Sequence, residues 1–493
     1  MTSPADSEAG GRERSAVRRI ARNAAYLMAS EVICKVLIFG FFVIAARRLG
    51  PADFGVFSFS LAQVSMFSVF ADLGLGVMIA RELACDPARA RRDVNEILSI
   101  KVVVSLLLFA ASCVVVNLIG VDQRNVNATY ISSIFILASA LSLFYGYVFQ
   151  GLERMELASA IRLTQAFVLI GGTMLLVRRT ASALSYAWLY SIAGLLAAAV
   201  AWGLASTFVV GPGLGTRFRR WGELLKSSMP IGIAAALVMV YYWNGTSFLS
   251  RMYGDAEVGL YNAPFRVIIG LGFIPFAFSQ AIYPMMSRMH QRLDGALKDV
   301  VGRSLRYMLT LALPLGLVGM ALARPAVLLL YGERFSPAVA VTRVLVWWGA
   351  LVYLNQILSQ YFFAAGRARV VTVQTLSSLV VNVAGNIVLI PRLGSMGAAT
   401  AIVAAEAVGF LFLLSHQLKA VDAVSLRSVS RTMPRIFLAC AASAGTGLVL
   451  ARVSPLIAVV GALAVYFAVI LLVGGFDRSD IAILRLLPGR SES

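Results

Sequence analysis

The chain has 493 residues, of which 59% are hydrophobic and only 14% are charged, and its mean hydropathy is +0.82. Ordinary soluble domains carry about 25% charged residues, and a water-soluble globule of this composition could not hide its apolar surface. These values exclude a cytosolic enzyme, a disordered chain and a disulfide-stapled secreted protein. They predict an all-α polytopic membrane protein.

The net charge is +19, from 43 Lys and Arg residues against 24 Asp and Glu residues. In a soluble protein this excess would indicate nucleic-acid binding. In a membrane protein it reflects sidedness and attraction to anionic lipid, so we predict no nucleic-acid partner. The sequence shows no phosphate-binding loop, zinc spacing or nucleophile triad. We therefore predict no catalytic residues, no metal site and no enzymatic activity.

Apolar stretches long enough to span a bilayer follow a basic N-terminal tail over residues 1–19. A span needs about 20 mostly apolar residues, and about fourteen stretches satisfy this requirement. The predicted spans cover residues 20–46, 54–80, 97–120, 129–151, 158–177, 183–210, 227–250, 259–286, 303–330, 339–363, 370–390, 397–418, 435–451 and 455–474.

Basic residues are distributed unevenly between the two sides of these spans. With both termini inside, the inner segments hold roughly three times as many Lys and Arg residues as the outer loops. The sequence therefore predicts a multi-pass protein of the bacterial inner membrane with a cytoplasmic N-terminus and C-terminus. The outer loops are short, which argues against a membrane-embedded polymerase or ligase.

Two loop segments repeat one pattern at a constant offset. Gly50-Pro51-Ala52-Asp53-Phe54-Gly55 follows span 1, and Gly254-Asp255-Ala256-Glu257-Val258-Gly259 follows span 7. A second echo relates the segments after spans 4 and 10, Phe149–Arg154 and Phe363–Arg369. Because the repeat unit contains six spans, an even number, the halves enter the membrane in the same sense, as in parallel-repeat transporters.

This repeat predicts two six-helix lobes related by a parallel pseudo-twofold axis, with two further C-terminal helices. The predicted divisions are an N-lobe over 20–210, a cytoplasmic linker over 211–226, a C-lobe over 227–418, spans 13 and 14 over 435–474, and a cytoplasmic C-terminal tail over 475–493.

Four motifs together resemble Wzx-type polysaccharide and O-antigen flippases of the multidrug/oligosaccharidyl-lipid/polysaccharide (MOP) exporter superfamily. The similarity covers roughly residues 20–420, with the motifs in the family's order. It implies two six-helix lobes around a cavity that opens alternately to each side and is lined by spans 1, 2, 7 and 8. The motifs are Ala46–Gly55, Asp72–Leu75 followed by Arg81-Glu82, Tyr331–Phe335, and Gly394–Ala399.

The resemblance implies translocation of an undecaprenyl-diphosphate-linked oligosaccharide from the inner to the outer leaflet, for surface polysaccharide biosynthesis. The expected partners are this substrate and membrane lipids, and a polymerase or export machinery stays open as a further partner. Two alternatives share the superfamily: a cation-coupled multidrug (MATE-type) exporter and a lipid II flippase.

Charged residues deep in spans are costly and by default face a cavity or a partner. Arg266 in span 8 has no acid within one helical turn and is the first candidate for binding a diphosphate. Lys35 in span 1 shares a face with Glu31, so it is either self-neutralised or faces the cavity. Arg324 is a weaker basic candidate, whereas Lys101 and Arg162 are expected to snorkel to the interface.

Polar residues add candidates for sugar binding, ion coupling and gating. Asn382 and Asn386 lie one turn apart, and either hydrogen bond between helices or contact sugar hydroxyls. Glu31 and Glu406 are either partnered structural carboxylates or sites that couple transport to H+ or Na+, and no other cofactor is predicted. The remaining candidates are Tyr242 and Asn244 for sugar contacts, and Asp72, Arg47 and Arg48 as gate residues.

Overall fold

The computed structural model describes residues 4–176, 182–209, 213, 215, 217–292, 296–419 and 426–473. In these ranges the regular structure is helical, and no strand occurs. The helices are α1 (Pro4–Asp72), α2 (Leu75–Cys85), α3 (Pro87–Ile119), α4 (Gln123–Gly151), α5 (Met155–Leu176), α6 (Ala183–Phe208), α7 (Phe218–Tyr253), α8 (Asp255–Leu271), α9 (Phe273–Arg292), α10 (Ala296–Ala321), α11 (Ala323–Tyr331), α12 (Ala338–Ala364), α13 (Ala368–Leu393), α14 (Ser395–Leu418), α15 (Leu426–Leu450) and α16 (Pro455–Leu472).

Thirteen helical stretches of the described chain are long and apolar enough to cross a membrane. The first, Ala29–Asp72, has 44 residues, which is about 66 Å at 1.5 Å per residue and so about twice the hydrocarbon thickness. It covers most of predicted spans 1 (20–46) and 2 (54–80), which are separated at Gly50, where the backbone leaves the helical region, and the end of span 2 lies in α2. The predicted polytopic helical fold is confirmed.

The chain divides into two compact units, Met1–Gly259 and Leu260–Ser493. This division does not coincide with the predicted linker at 211–226, because α7 packs against α1 and α3 of the first unit. The two six-helix lobes stay a prediction. The predicted C-terminal tail at 475–493 lies outside the described residues.

Large apolar side chains cover much of the exposed surface of the helices. Leu107, Leu118, Val380 and Leu472 are 66%, 78%, 67% and 87% exposed. Contiguous apolar exposure of this kind would aggregate in water but matches the hydrocarbon core of a bilayer. The polar side chains of the spans are instead mostly buried between helices, since lipid cannot hydrogen bond to them.

The repeated loop motif has the same backbone geometry in both copies. Gly50 has φ 72° and ψ 175°, and Gly254 has φ 82° and ψ −176°. This region of backbone space is essentially restricted to glycine. Each glycine lies where one helical segment ends and the next begins, and it turns the chain between them.

The second pair of similar segments, Phe149–Arg154 and Phe363–Arg369, also shares a backbone geometry. The structural correspondence is shifted by one residue from the correspondence in sequence. At the end of α4, Arg154 N donates to Phe149 O over 2.8 Å, and at the end of α12, Arg367 N donates to Phe362 O over 2.8 Å. Glu153 has φ 58° at the place that Gly366 takes in the second copy. The two helix ends are thus structural equivalents.

The two copies of the loop motif pack on each other through their glycines. A Cβ atom at Gly55 would lie 1.7 Å from the carbonyl oxygen of Asp255, and one at Gly259 would lie 1.9 Å from that of Pro51. Pro51 is the sequence equivalent of Asp255, and Gly55 that of Gly259, so the contact is reciprocal. It lies within the first unit, and side chains larger than hydrogen would push the two helix starts apart.

We predict that Gly259→Ala destabilises the protein by at least about 1–3 kcal/mol, the usual cost of overpacking a tight contact. The matched control is Gly270→Ala on the same helix, where a Cβ would meet nothing within 4 Å. Thermal unfolding of both purified variants in detergent measures the difference. Equal unfolding midpoints would show that the crossing does not constrain the fold.

Candidate functional site

A cluster of three charges links α1 to α5 in the first unit. Arg162 Nη1 donates to Glu31 Oε2 over 3.2 Å, and Lys35 Nζ lies 3.6 Å from Glu31 Oε1. The hydroxyls of Ser30 and Ser159 pair at 2.8 Å beside them. Because one carboxylate serves two cations, this cluster, Glu31–Lys35–Arg162, carries a net positive charge.

Lys35 keeps the greater exposure of the two cations. Its side chain is 51% exposed, compared with 36% for Arg162 and 31% for Glu31. Glu31 lies nearer to Arg162 than to Lys35, so the predicted intrahelical pair exists but is shared with a second helix. Arg162 is therefore held by a partner on another helix in addition to any reach toward the interface.

A second ion pair holds the break between α1 and α2. Lys101 Nζ on α3 donates to Asp72 Oδ1 over 2.5 Å, with Lys101 1% exposed and Asp72 20% exposed. The expectation that Lys101 snorkels is wrong, because its ammonium is neutralised inside the protein and does not reach the interface. Asp72 is the last residue of α1, so the pair fixes where this helix ends.

The break beside Asp72 packs directly on α7. Leu73 and Gly74 have φ 47° and 76°, and a Cβ at Gly74 would lie 2.7 Å from Ser228 O. A Cβ at Gly232 would lie 2.6 Å from the carbonyl carbon of Leu73. Leu73 adopts a conformation that non-glycine residues rarely adopt, so surrounding contacts must hold the break.

The start of α7 is fastened to the start of α3 by charged and polar groups. Arg220 Nη2 donates to Asp93 Oδ2 over 2.7 Å. The buried Glu96 carboxylate accepts from Trp221 Nε1 over 3.0 Å and from the backbone N–H of Arg217 over 3.1 Å. These contacts tie part of the predicted linker to the first unit and place α7 against the break.

The N-terminal end of α4 contacts both copies of the repeated motif. Arg124 pairs with Asp53 of the first copy, and Asn125 Nδ2 donates to Asp255 Oδ1 of the second over 2.6 Å. The predicted gate residues Arg47 and Arg48 are both exposed. Asp53, Arg124 and Asn125 were not among the sequence candidates. The repeated acidic positions of the motif were the signal in the sequence that pointed to this contact.

A buried amide and a carboxylate connect α12 to α14 in the second unit, and two buried amides pair within α13. Asn355 Nδ2 donates to Glu406 Oε1 over 2.7 Å, and Glu406 is 7% exposed. Asn386 Nδ2 donates to Asn382 Oδ1 over 3.3 Å, and both residues are buried. The bond between the two asparagines lies within α13 and not between helices, so the choice between interhelical hydrogen bonds and sugar contacts stays a prediction, as does a role of Glu406 in ion coupling.

The other predicted binding residues differ in exposure. Arg266 is partly buried and lies near enough to Tyr331 to interact with it electrostatically. Arg324 is exposed at the start of α11. Asn244 is buried and donates to Val240 O over 2.8 Å, and Tyr242 is partly buried on the same helix. Binding of substrate by these residues stays a prediction.

We predict that Lys101→Met destabilises the protein by about 3 kcal/mol, because it leaves Asp72 uncompensated next to lipid. The double variant Lys101→Met/Asp72→Asn should recover most of this loss, since removing both partners of a buried pair is often nearly neutral. Denaturant unfolding of both variants gives the two values.

Lys35→Met is the matched control for this comparison, because Lys35 is half-exposed and its removal should cost about 1 kcal/mol or less. A double variant no more stable than Lys101→Met would mean that the pair does not hold the end of α1.

Comparison with known proteins places this fold in a family. A family model described as "Polysaccharide biosynthesis protein" matches residues 20–290, and one described as MatE matches residues 230–388. The chain is 26% identical over 309 residues to a putative O-antigen transporter of Shigella flexneri, covering 59% of this chain and 72% of that protein. It is 22% identical over 392 residues to the probable low-salt glycan biosynthesis flippase Agl15 of Haloferax volcanii, covering 78% and 80%.

Solved structures share the fold at low sequence identity. The lipid II flippase MurJ in its inward closed conformation aligns with a TM-score of 0.72 at 13% identity, covering 91% of this chain and 98% of that one. An inward-facing MATE family transporter of the MOP superfamily aligns with a TM-score of 0.63 at 15% identity, covering 80% and 98%. The predicted resemblance to Wzx-type flippases of the MOP superfamily is confirmed: the first family model spans more than half of the chain, which belongs to the polysaccharide biosynthesis protein family.

Proposed function

We propose that this protein is a flippase that moves an undecaprenyl-diphosphate-linked oligosaccharide from the inner to the outer leaflet of the bacterial inner membrane. Transport would proceed by alternating access through a cationic cavity, and it would serve surface polysaccharide biosynthesis. Relatives named as an O-antigen transporter and as a glycan biosynthesis flippase support this substrate class. A third relative, of Ralstonia nicotianae, is named as an EPS I polysaccharide export inner membrane protein, which supports the location.

The observation that carries the proposal is the net positive Glu31–Lys35–Arg162 cluster within a membrane-spanning helix pair. A lone cation in hydrocarbon is costly, and Lys35 keeps half of its side chain exposed. A diphosphate supplies the missing negative charge when substrate is bound. An exporter of cationic drugs would need the opposite sign, so this cluster argues against the MATE-type alternative.

Energy coupling is part of the proposal. A gradient of H+ or Na+ would drive transport, and Glu406 is the carboxylate best placed to respond to it, because it is buried in the second unit against the neutral amide of Asn355. Glu31 is a poorer choice, since its carboxylate already pairs with Lys35 and Arg162. The prenyl chain would stay in the bilayer while the glycan crosses, and the glycan would then reach a polymerase or export complex outside.

We predict that Arg266→Ala abolishes export of surface polysaccharide while leaving the protein folded and in the membrane. The reason is that a guanidinium in span 8 can bind diphosphate oxygens in a bidentate way, and alanine cannot. The matched control is Arg343→Ala, since Arg343 is an exposed arginine with no proposed role. Both variants are scored by complementation of a deletion strain for surface polysaccharide and for lipid-linked sugar in the inner leaflet.

A result against this role would be normal surface polysaccharide in the Arg266→Ala strain at equal protein levels. The deletion strain itself tests the broader proposal. If it accumulated no lipid-linked oligosaccharide in the inner leaflet, the flippase assignment would be wrong.

A crosslink across the contact between α2 and α7 should stop transport. Ser227 Oγ lies 3.1 Å from Met78 Sδ, so a short bis-methanethiosulfonate reagent can bridge cysteines at these two positions. If alternating access separates α2 from α7, the variant Met78→Cys/Ser227→Cys in a background without native cysteines loses transport on treatment with this reagent. A reductant should restore it, and each single-cysteine variant is the control. Full transport with the crosslink formed would place the moving contact elsewhere.

A further inference from the structure

A polar cavity of about 250 Å³ lies inside the first unit, between α4, α5 and α6. It does not include any of the residues that the sequence indicated for substrate binding. Five polar side chains line it: Ser142, Tyr147, Gln150, Arg162 and Gln165. The cavity is smaller than the roughly 300–1,000 Å³ of pockets that hold drug-sized ligands. Its volume is on the scale of a single sugar unit.

The cavity is lined by residues of the candidate span Met155–Leu176. Arg162 follows Met155, the first residue of α5, by seven positions, which is about 10 Å along the helix at 1.5 Å per residue. A polar group within a span needs a protein partner, water or a ligand. The packing of apolar helices alone therefore gives no reason for polar side chains to surround a cavity at this place.

Several polar groups of the cavity lack a protein partner. In the described part of the chain, the side chains of Gln150, Gln165 and Tyr147 make no hydrogen bond, and Arg162 Nη2 also has none. Arg162 is held on its other nitrogen by Glu31. The ring of Tyr147 packs against Gly76, where a Cβ would come within 2.2 Å of it, so the position of this ring is fixed.

The chemistry of these groups matches sugar hydroxyls. A hydroxyl both donates and accepts, and so does the side-chain amide of glutamine and the phenol of tyrosine. Arg162 lines the cavity with its charge already paired with Glu31, which suits a neutral diol better than a free phosphate. An apolar ligand would leave four polar side chains unsatisfied.

We propose that this cavity binds one sugar unit of the transported glycan through Gln150, Gln165, Tyr147 and Arg162. The inference rests on the proposed function, because it takes the cargo to be a glycan. The proposed site lies within the first unit and would select for the type of a single sugar unit. A cavity filled with water alone is the competing outcome.

Gly146 provides a way to fill the cavity without disturbing the helix. It lines the cavity, and a Cβ at this position would meet nothing within 4 Å. Gly146→Leu therefore places a side chain in the cavity at little cost to packing. Gly203→Leu is the matched control, because Gly203 on α6 is equally unobstructed and does not line the cavity.

The test is saturation-transfer difference NMR on the full chain in nanodiscs, with glucose, galactose, mannose, rhamnose and N-acetylglucosamine as separate probes. We expect at least one sugar to give a signal with the wild type and with Gly203→Leu. The signal should fall at least about tenfold in Gly146→Leu and in Gln165→Leu. No signal with any sugar, or a signal that survives both substitutions, would overturn the proposal.

A second measurement decides the question if Gly146→Leu does not fold. In a background without native cysteines, the bound sugar should slow the reaction of a thiol reagent with Gly146→Cys and leave the reaction of Gly203→Cys unchanged. No protection by any of the five sugars would count against the site. The deletion-strain assay separates the two proposals. If lipid-linked sugar accumulates in that strain but no sugar binds in the cavity, only the sugar site is rejected. If a sugar binds but no lipid-linked sugar accumulates, the flippase function is rejected.

Discussion

A bilayer offers no water to a charged side chain, and the first unit depends on how its charges are satisfied. Lys101 reaches across from α3 to Asp72 at the end of α1, and Arg162 reaches from α5 to Glu31 on α1. Each pair joins two different helices. Because an unpaired charge in hydrocarbon is costly, separating the two helices of a pair carries a free-energy penalty. Lys35 shares Glu31 with Arg162, so one positive charge of this cluster is left without a carboxylate of its own, and the proposed function assigns its compensation to a substrate anion.

Close backbone contact through glycine is the second constraint. The two copies of the repeated motif meet at Gly55 and Gly259, and at the break between α1 and α2, Gly74 and Gly232 also bring backbones into close contact. Glycine permits such contacts at the cost of weak side-chain packing. Contacts of this kind can part without leaving large apolar surfaces unburied, which suits helices that must separate during the proposed transport cycle.

The sequence predicted the helical fold, the order of spans and the repeat, because hydropathy and spacing are local properties of the chain. It placed the special glycines correctly at Gly50 and Gly254, since their conformation admits little else. The prediction for Lys101 was wrong, because a residue's position along its span can be read from the sequence, whereas the helix that packs against it cannot. The polar cavity around Arg162 was missed for the same reason, since its members come from α4, α5 and α6 and no single segment carries the pattern.

The most direct measurement of the central claim is translocation by the purified protein in liposomes. A fluorescent undecaprenyl-diphosphate oligosaccharide is placed in both leaflets, and an impermeant reductant bleaches the outer one. The account predicts that liposomes containing the protein, with an ion gradient imposed, lose the protected inner-leaflet fraction. A protected fraction equal to that of protein-free liposomes, with the protein shown to be folded, would contradict it.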